Sequence, residues 1–166
     1  MSAKPLLYGI LDCAAEPGLY AHAMRLAPLA ANCLFEGPLA PELREASPYL
    51  VALTPSDPLA QLWRGEGWGR HWGILLHSPE SLAQVRRRLR HFTQARLPDG
   101  NGPVLFRFWD PRVFRIYMPL VEPDQLRHWF DGIEAYIAET EDGLGSLRYA
   151  LSGGALTIEE RAMPAR

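Results

Sequence analysis

Two cysteines, Cys13 and Cys33, are all that the 166 residues contain. They lack metal-ligand spacing and are too few for a disulfide framework, so they read as two small buried thiols of a cytoplasmic protein. No apolar run approaches the roughly 20 residues needed to span a bilayer, so no membrane partner is expected. Met1 to Pro5 carries Lys4 but no apolar core or cleavage-type segment, and no signal peptide is expected there. Positive charge is also lacking. The net charge is −2, whereas a nucleic-acid binder is usually far more basic. There is no phosphate-binding glycine loop, no nucleophile elbow and no paired-histidine metal motif. Arg64-Gly65-Glu66-Gly67-Trp68-Gly69 is glycine-rich but follows a predicted helix, not a strand. No cofactor or metal is implied. With no long linker or low-complexity segment, and 48% hydrophobic residues, the chain reads as one globular domain over 1–166.

Apolar stretches with punctuation are what the chain does have. Val104 to Trp109 alternates as a strand, with Val104, Phe106 and Phe108 on one face and Leu105, Arg107 and Trp109 on the other. Both faces are mostly apolar, which predicts burial on both sides. Arg107 interrupts the run and must then be paired, Asp12 or Asp110 being the available acids. Asp110-Pro111 ends the run. Asp suits a helix cap and proline the first helical position, so the stretch predicts strand, cap, helix.

The same plan recurs in order along the chain. Leu6 to Leu11 is an apolar run ending at Asp12, with a helix expected from Leu19 to Ala27, closed by Pro28. Asn32 to Glu36 is a short strand, followed by helical turns over Pro41 to Ala46. Tyr49 to Leu53 runs into Thr54-Pro55-Ser56-Asp57-Pro58, where Asp57 caps a helix that fails near Gly65 and Gly67. Trp72 to Leu76 ends at His77-Ser78-Pro79, with Ser78 as cap, and Leu82, Val85, Leu89 and Phe92 then form a helical stripe. Strands alternating with helices predict an α/β fold with a mainly parallel or mixed sheet flanked by helices. Beyond Pro119 the pattern changes. Glu122-Pro123 opens a helix with Leu126, Trp129 and Phe130. Residues 133–140 fit helix or strand; strand is preferred because Gly132 is costly inside a helix. Leu147 to Leu151, Gly153-Gly154 and Ala155 to Ile158 complete an antiparallel meander over 138–160. A frayed tail is expected over 161–166.

Ligands of an open parallel sheet bind beyond the carboxyl ends of its strands. Asp12, Thr54, His77 and Asp110 would share that edge, and two carboxylates with a histidine could do acid–base work. The plainer reading is favoured: Asp110 and Ser78 cap helices, Asp12 pairs with Arg107, and His77 sits in a loop. The run Arg86, Arg87, Arg88 and Arg90 reads as a solvated face or as a charged rim toward an acidic partner. Of the aromatics, Trp68, Phe114 and Tyr117 are hardest to place inside, and exposed aromatics mark protein interfaces.

Phe106-Arg107-Phe108-Trp109-Asp110-Pro111-Arg112-Val113 closely resembles the FRFYDPRV signature of bacterial type VI secretion effector adaptors, encoded beside the spike protein VgrG. Leu7-Tyr8-Gly9-Ile10-Leu11-Asp12, Tyr49-Leu50-Val51-Ala52-Leu53 and Trp72-Gly73-Ile74-Leu75-Leu76 with Ser78 are similar to further parts of that family. So are Gln125-Leu126 and Trp129-Phe130-Asp131-Gly132, where the family's proline is dropped. The resemblance runs from about Leu6 to Ile137 and leaves most of the meander outside. It implies a non-enzymatic chaperone that holds a toxic effector in the producing cell and helps load it onto VgrG. It also implies structural roles for Arg107, Asp110, Pro111 and Arg112. Trp68, Phe114 and Tyr117, with Arg86, Arg87 and Arg90 as a rim, are the expected partner-binding residues.

Overall fold

In a computed structural model, residues 6–27 and 29–164 are described. The expected roles of Met1 to Pro5, of Pro28 and of the last two residues lie outside them. The elements are β1 Leu6–Asp12, α1 Leu19–Leu26, β2 Ala31–Cys33, α2 Pro41–Glu45, β3 Pro48–Leu53 and α3 Pro58–Leu62, which runs into a π-helical turn Trp63–Gly67. There follow β4 Gly73–Ser78, α4 Leu82–Arg90, β5 Gln94–Ala95, β6 Val104–Leu105, α5 Pro111–Tyr117, a 3-10 turn Met118–Leu120 and α6 Pro123–Trp129. The chain ends in β7 Ala135–Glu139, β8 Gly145–Ser152 and β9 Ala155–Ala162.

Seven strands form one sheet in the order β2-β3-β1-β4-β7-β8-β9. Every pairing in it is antiparallel, which corrects the parallel or mixed expectation. The local reading nevertheless had a real basis. β1 and β2 both pair antiparallel with β3, so they point the same way with β3 between them. β3 and β4 likewise flank β1. The crossovers through α1 and through α3 therefore join like-directed strands, as in a split βαβ unit, and the interposed strand makes the neighbours antiparallel, whereas α2 joins the antiparallel neighbours β2 and β3.

Period-two alternation sorts the side chains between two layers. Tyr8, Ile10, Leu50, Ile74, Leu76, Tyr136 and Tyr149 pack beneath Val85 and Leu89 of α4, Phe114 of α5, and Leu126 and Trp129 of α6. On the other face Leu11, Val51 and Leu53 meet Leu19 and Ala23 of α1, Leu59 of α3, and Trp63, Trp68 and Trp72. Burial on both sides explains why the central strands read as unbroken apolar runs.

Residues 133–140 contain strand, as preferred, and β7, β8 and β9 form the expected meander. The turn at Gly153-Gly154 has φ of 58° and 83°. Two successive left-handed residues suit a tight hairpin, and glycine takes them without a Cβ clash. Part of the expected tail is held in the sheet: Arg161 and Ala162 pair with Ser146 and Gly145, and Met163 N–H donates to Leu144 O at 3.0 Å.

Val104 to Trp109 is not a buried central strand. Val104 and Leu105 pair only with Ala95 and Gln94, are exposed, and stand apart from the main sheet. The chain then turns, with Asp110 N–H bonded to Arg107 O at 3.1 Å. Phe108 and Trp109 are both buried. Two neighbouring aromatics enter one core from a turn, which mimics a strand with two apolar faces.

Candidate functional site

The turn at Arg107 to Arg112 joins three parts of the molecule. Asp110 caps α5, its Oδ1 accepting the Arg112 N–H at 2.9 Å, and Pro111 occupies the first helical position. The Arg112 guanidinium closes back on the same carboxylate at 3.0 and 2.7 Å. Burial pushes the Asp110 carboxyl up, but these Arg112 hydrogen bonds outweigh it and hold the group below its ordinary value. Arg107 reaches back to Asp12 at the end of β1, so of the two expected acids Asp12 is the one used. Asp12 Oδ1 also accepts the Ala14 N–H at 3.1 Å. The pair thus ties the motif to the first strand.

Beside this turn lies a link that the sequence did not announce. Glu139, buried at the end of β7, accepts the N–H of Gly69 at 2.7 Å and of His71 at 3.1 Å, and meets His71 Nδ1 at 2.5 Å. His71 has a φ of 61°, unusual for a residue with a Cβ. Trp68 Nε1 donates to Gly145 O at 2.9 Å. Arg115 of α5 donates to Glu139 O at 2.9 Å. Loop 68–71, the meander and α5 are therefore pinned to one another. Only the long-range pairing of β7 with the rest of the sheet makes Glu139 a partner of residues about 70 positions earlier, and no local pattern carries that signal.

The acid–base constellation is not brought together. Asp12 and Asp110 lie at one end of the sheet. His77 pairs with Leu7 at the other end of β1, five residues from Asp12, or about 17 Å at ~3.4 Å per residue. Thr54 follows Leu53, which also pairs with Leu7, and so shares the end with His77. Antiparallel strands deliver their carboxyl ends alternately to opposite edges. Burial and then Arg148 hold the His77 imidazole below its ordinary value. Ser78 is not the cap of α4. It donates to Gly132 O at 2.6 Å and accepts Glu80 N–H at 3.0 Å, while Ser81 and Gln84 form the capping box.

The expected partner-binding aromatics are mostly internal. Phe114 is fully buried against Trp129, Tyr136 and Tyr149. Trp68 is buried in the second core layer. Their places in a turn-rich or post-proline context suggested exposure; long-range packing buries them. Tyr117 is half-buried against Phe106, ring centroids 4.7 Å apart. Arg86 is occupied by the carbonyls of Cys33 and Phe35 at 2.5 and 3.3 Å, and Arg90 by Glu36. Arg88 grips Glu80 twice at 2.6 Å and also reaches Asp131. Those Arg88 hydrogen bonds hold the Glu80 carboxyl below its ordinary value despite its burial. Of the expected open rim, Arg87 alone is exposed, the others being half-buried. Cys13 and Cys33 are free thiols, and burial pushes the Cys13 thiol up to about 12.

Exposed apolar residues lie elsewhere: Ile116 and Leu120 near the end of α5, Leu144 in the β7–β8 turn, and Leu105 in β6. The second face of the sheet also bears an apolar cleft of about 250 Å³. Its lining includes Leu7, Ala60, Trp63, Leu75, Ile137 and Met163. Among the described residues no helix is long and apolar enough to cross a membrane. No group of His, Cys, Asp and Glu there is arranged to hold a metal ion.

Residues 7–128 match the family described as "Domain of unknown function (DUF4123)". The chain belongs to the DUF4123 family. This family is associated with type VI secretion effector adaptors. The match ends inside α6, so β7, β8 and β9 lie beyond it. No curated protein and no solved structure matches this DUF4123 chain.

Proposed function

We propose that this DUF4123 protein is a non-catalytic adaptor that binds a type VI secretion effector in the cytoplasm and promotes its loading onto the VgrG spike. The observation that carries the reading is the family match over residues 7–128, with the Phe106–Val113 motif inside it. The motif's place in the fold is consistent with a scaffold role. Asp110 and Arg112 are closed on each other and Arg107 is closed on Asp12, leaving these groups engaged within the chain. The separation of Asp12 and Asp110 from His77 also favours a binding role over acid–base chemistry.

The test is genetic. In a host deleted for this chain, the effector encoded beside it should fall at least tenfold in the culture medium while remaining in cells or being degraded there. Re-expression of the wild-type chain should restore it. Undiminished secretion of that effector in the deletion strain would refute the loading role.

A further inference from the structure

The two edges of the sheet differ. β2 closes one side with three residues. β9 closes the other with eight, all exposed except Leu156. Edge strands are commonly kept from pairing by shortness, proline, a bulge or a covering element. β9 has none of these. Its register with β8 is unbroken from Ala155 opposite Ser152 to Ala162 opposite Gly145. Its sequence holds no proline, and no strand of the described residues pairs with its outer side.

The backbone groups of such a strand face its neighbour and the outside by turns. Met163 N–H donates to Leu144 O in the same register. Counting back by twos, Arg161, Glu159 and Thr157 also turn their N–H and C=O toward β8. Those of Leu156, Ile158, Glu160 and Ala162 therefore turn outward. Donors and acceptors in a row at this spacing are matched by another extended segment, not by a helix.

The side chains say more about the occupant. On the first face Leu156, Ile158 and Glu160 stand opposite Leu151, Tyr149 and Leu147. Ile158 is 44% exposed. Glu160 makes no ion pair with the described residues. Arg112 and Arg115 border the same depression, but Arg112 is closed on Asp110 and Arg115 donates to Glu139 O. On the second face Glu159 is paired with Arg161 at 3.1 Å. The edge thus offers two apolar residues and one unpaired carboxylate at alternate positions. A second copy of β9 does not complement it. Laid antiparallel and centred on Glu159 or Glu160, it opposes like carboxylates; centred on Ile158, it sets each Glu160 against a Leu156.

We infer that the effector docks on β9 by strand addition, through an extended segment of the order basic–x–apolar–x–apolar running antiparallel to it. The basic side chain meets Glu160, and the apolar side chains lie over Ile158 and Leu156. The direction continues that of every ladder in the sheet. The inference rests on the adaptor reading. It places effector choice beyond the family match, which ends at residue 128. Backbone hydrogen bonds supply affinity, and the alternate side chains select the partner.

The probe is the purified effector encoded beside this chain, and the readouts are calorimetry and residue-resolved amide hydrogen exchange on the full-length protein. Saturating effector should slow exchange at Leu156, Ile158, Glu160 and Ala162 at least tenfold, with little change at Thr157, Glu159 and Arg161, which are already bonded to β8. Ile158→Pro removes one outward N–H and no bond to β8, a place where an edge strand tolerates proline. Ile158→Pro and Glu160→Lys should each weaken binding at least tenfold with the fold retained. Arg87→Glu, on α4, should leave affinity within twofold. Tight binding that Glu160→Lys leaves intact, or unslowed exchange at the four outward amides under saturating effector, would overturn the edge assignment and spare the adaptor reading. Slowing of those amides with rising concentration of the chain alone would make the occupant a second copy and overturn the inference. Absence of wild-type binding would overturn the adaptor reading and the edge assignment with it.

Discussion

Asp110 combines a helix cap with an ion pair, so a single truncation removes both. Asp110→Ala should cost on the order of 2–4 kcal/mol, read as a lower urea midpoint with unchanged slope. Its carboxyl sits below the ordinary 3.8 in the folded chain. Its stabilisation is therefore fully present above that unfolded value and is lost as pH falls through the lower folded one. Wild-type stability should drop below about pH 4, and Asp110→Asn should lose part of that dependence. Urea titrations at pH 3 and pH 6 on both proteins would show it; an equal loss of stability in both between pH 6 and pH 3 would assign the acid sensitivity to other groups. Arg107 behaves differently, because its side chain is 45% exposed. A double-mutant cycle with Asp12 should give a coupling of only about 1 kcal/mol. The sequence pointed to the Arg107–Asp12 pairing, but from a buried strand that the structure does not have, since Arg107 lies outside β6 with its side chain largely open to solvent. Glu139 was not legible, since an acid at a strand end says nothing about loop 68–71.

Among the elements, α4 begins at Ser81, and Ser81→Ala should cost about 1 kcal/mol by removing the capping box. In the β8–β9 hairpin, Gly154→Ala should cost roughly 1–2 kcal/mol, because φ there is 83°. Thermal melts of the two variants check both figures. Helix starts with proline were easy to read: Pro41, Pro58, Pro111 and Pro123 each open a helix. Ser78-Pro79 offered the same local signal but lost to Ser81, whose Gln84 completes a reciprocal cap. The Val104–Trp109 stretch misled for a different reason. Alternation records which side chains are apolar, and a turn that buries Phe108 and Trp109 together leaves the same trace as a strand.

For the whole molecule, helical crossovers between like-directed strands were legible, but the strand inserted between each pair was not. Strand order depends on contacts far apart in sequence, and that order decides whether polar strand ends meet at one edge or divide between two. Asp12 and His77 divide for this reason. Burial of Phe114 follows from the same long-range packing. Phe114→Ala should therefore act through stability, by about 3–5 kcal/mol, and calorimetry of the folded fraction should show little change in partner affinity; a selective loss of binding with an unaltered melt would make Phe114 a contact residue. The resemblance read from Phe106 to Val113 led to the family that matches residues 7–128. The apolar cleft escaped it, because its walls come from α3, the π turn, five strands and Met163.

The most direct test of an adaptor role is an isothermal titration of the purified chain with the purified effector encoded beside it, with the complex sized by light scattering. A saturable, stoichiometric complex with submicromolar Kd is predicted, of the mass of both chains together. No heat of binding and no shared peak at tens of micromolar, with both proteins folded, would contradict it.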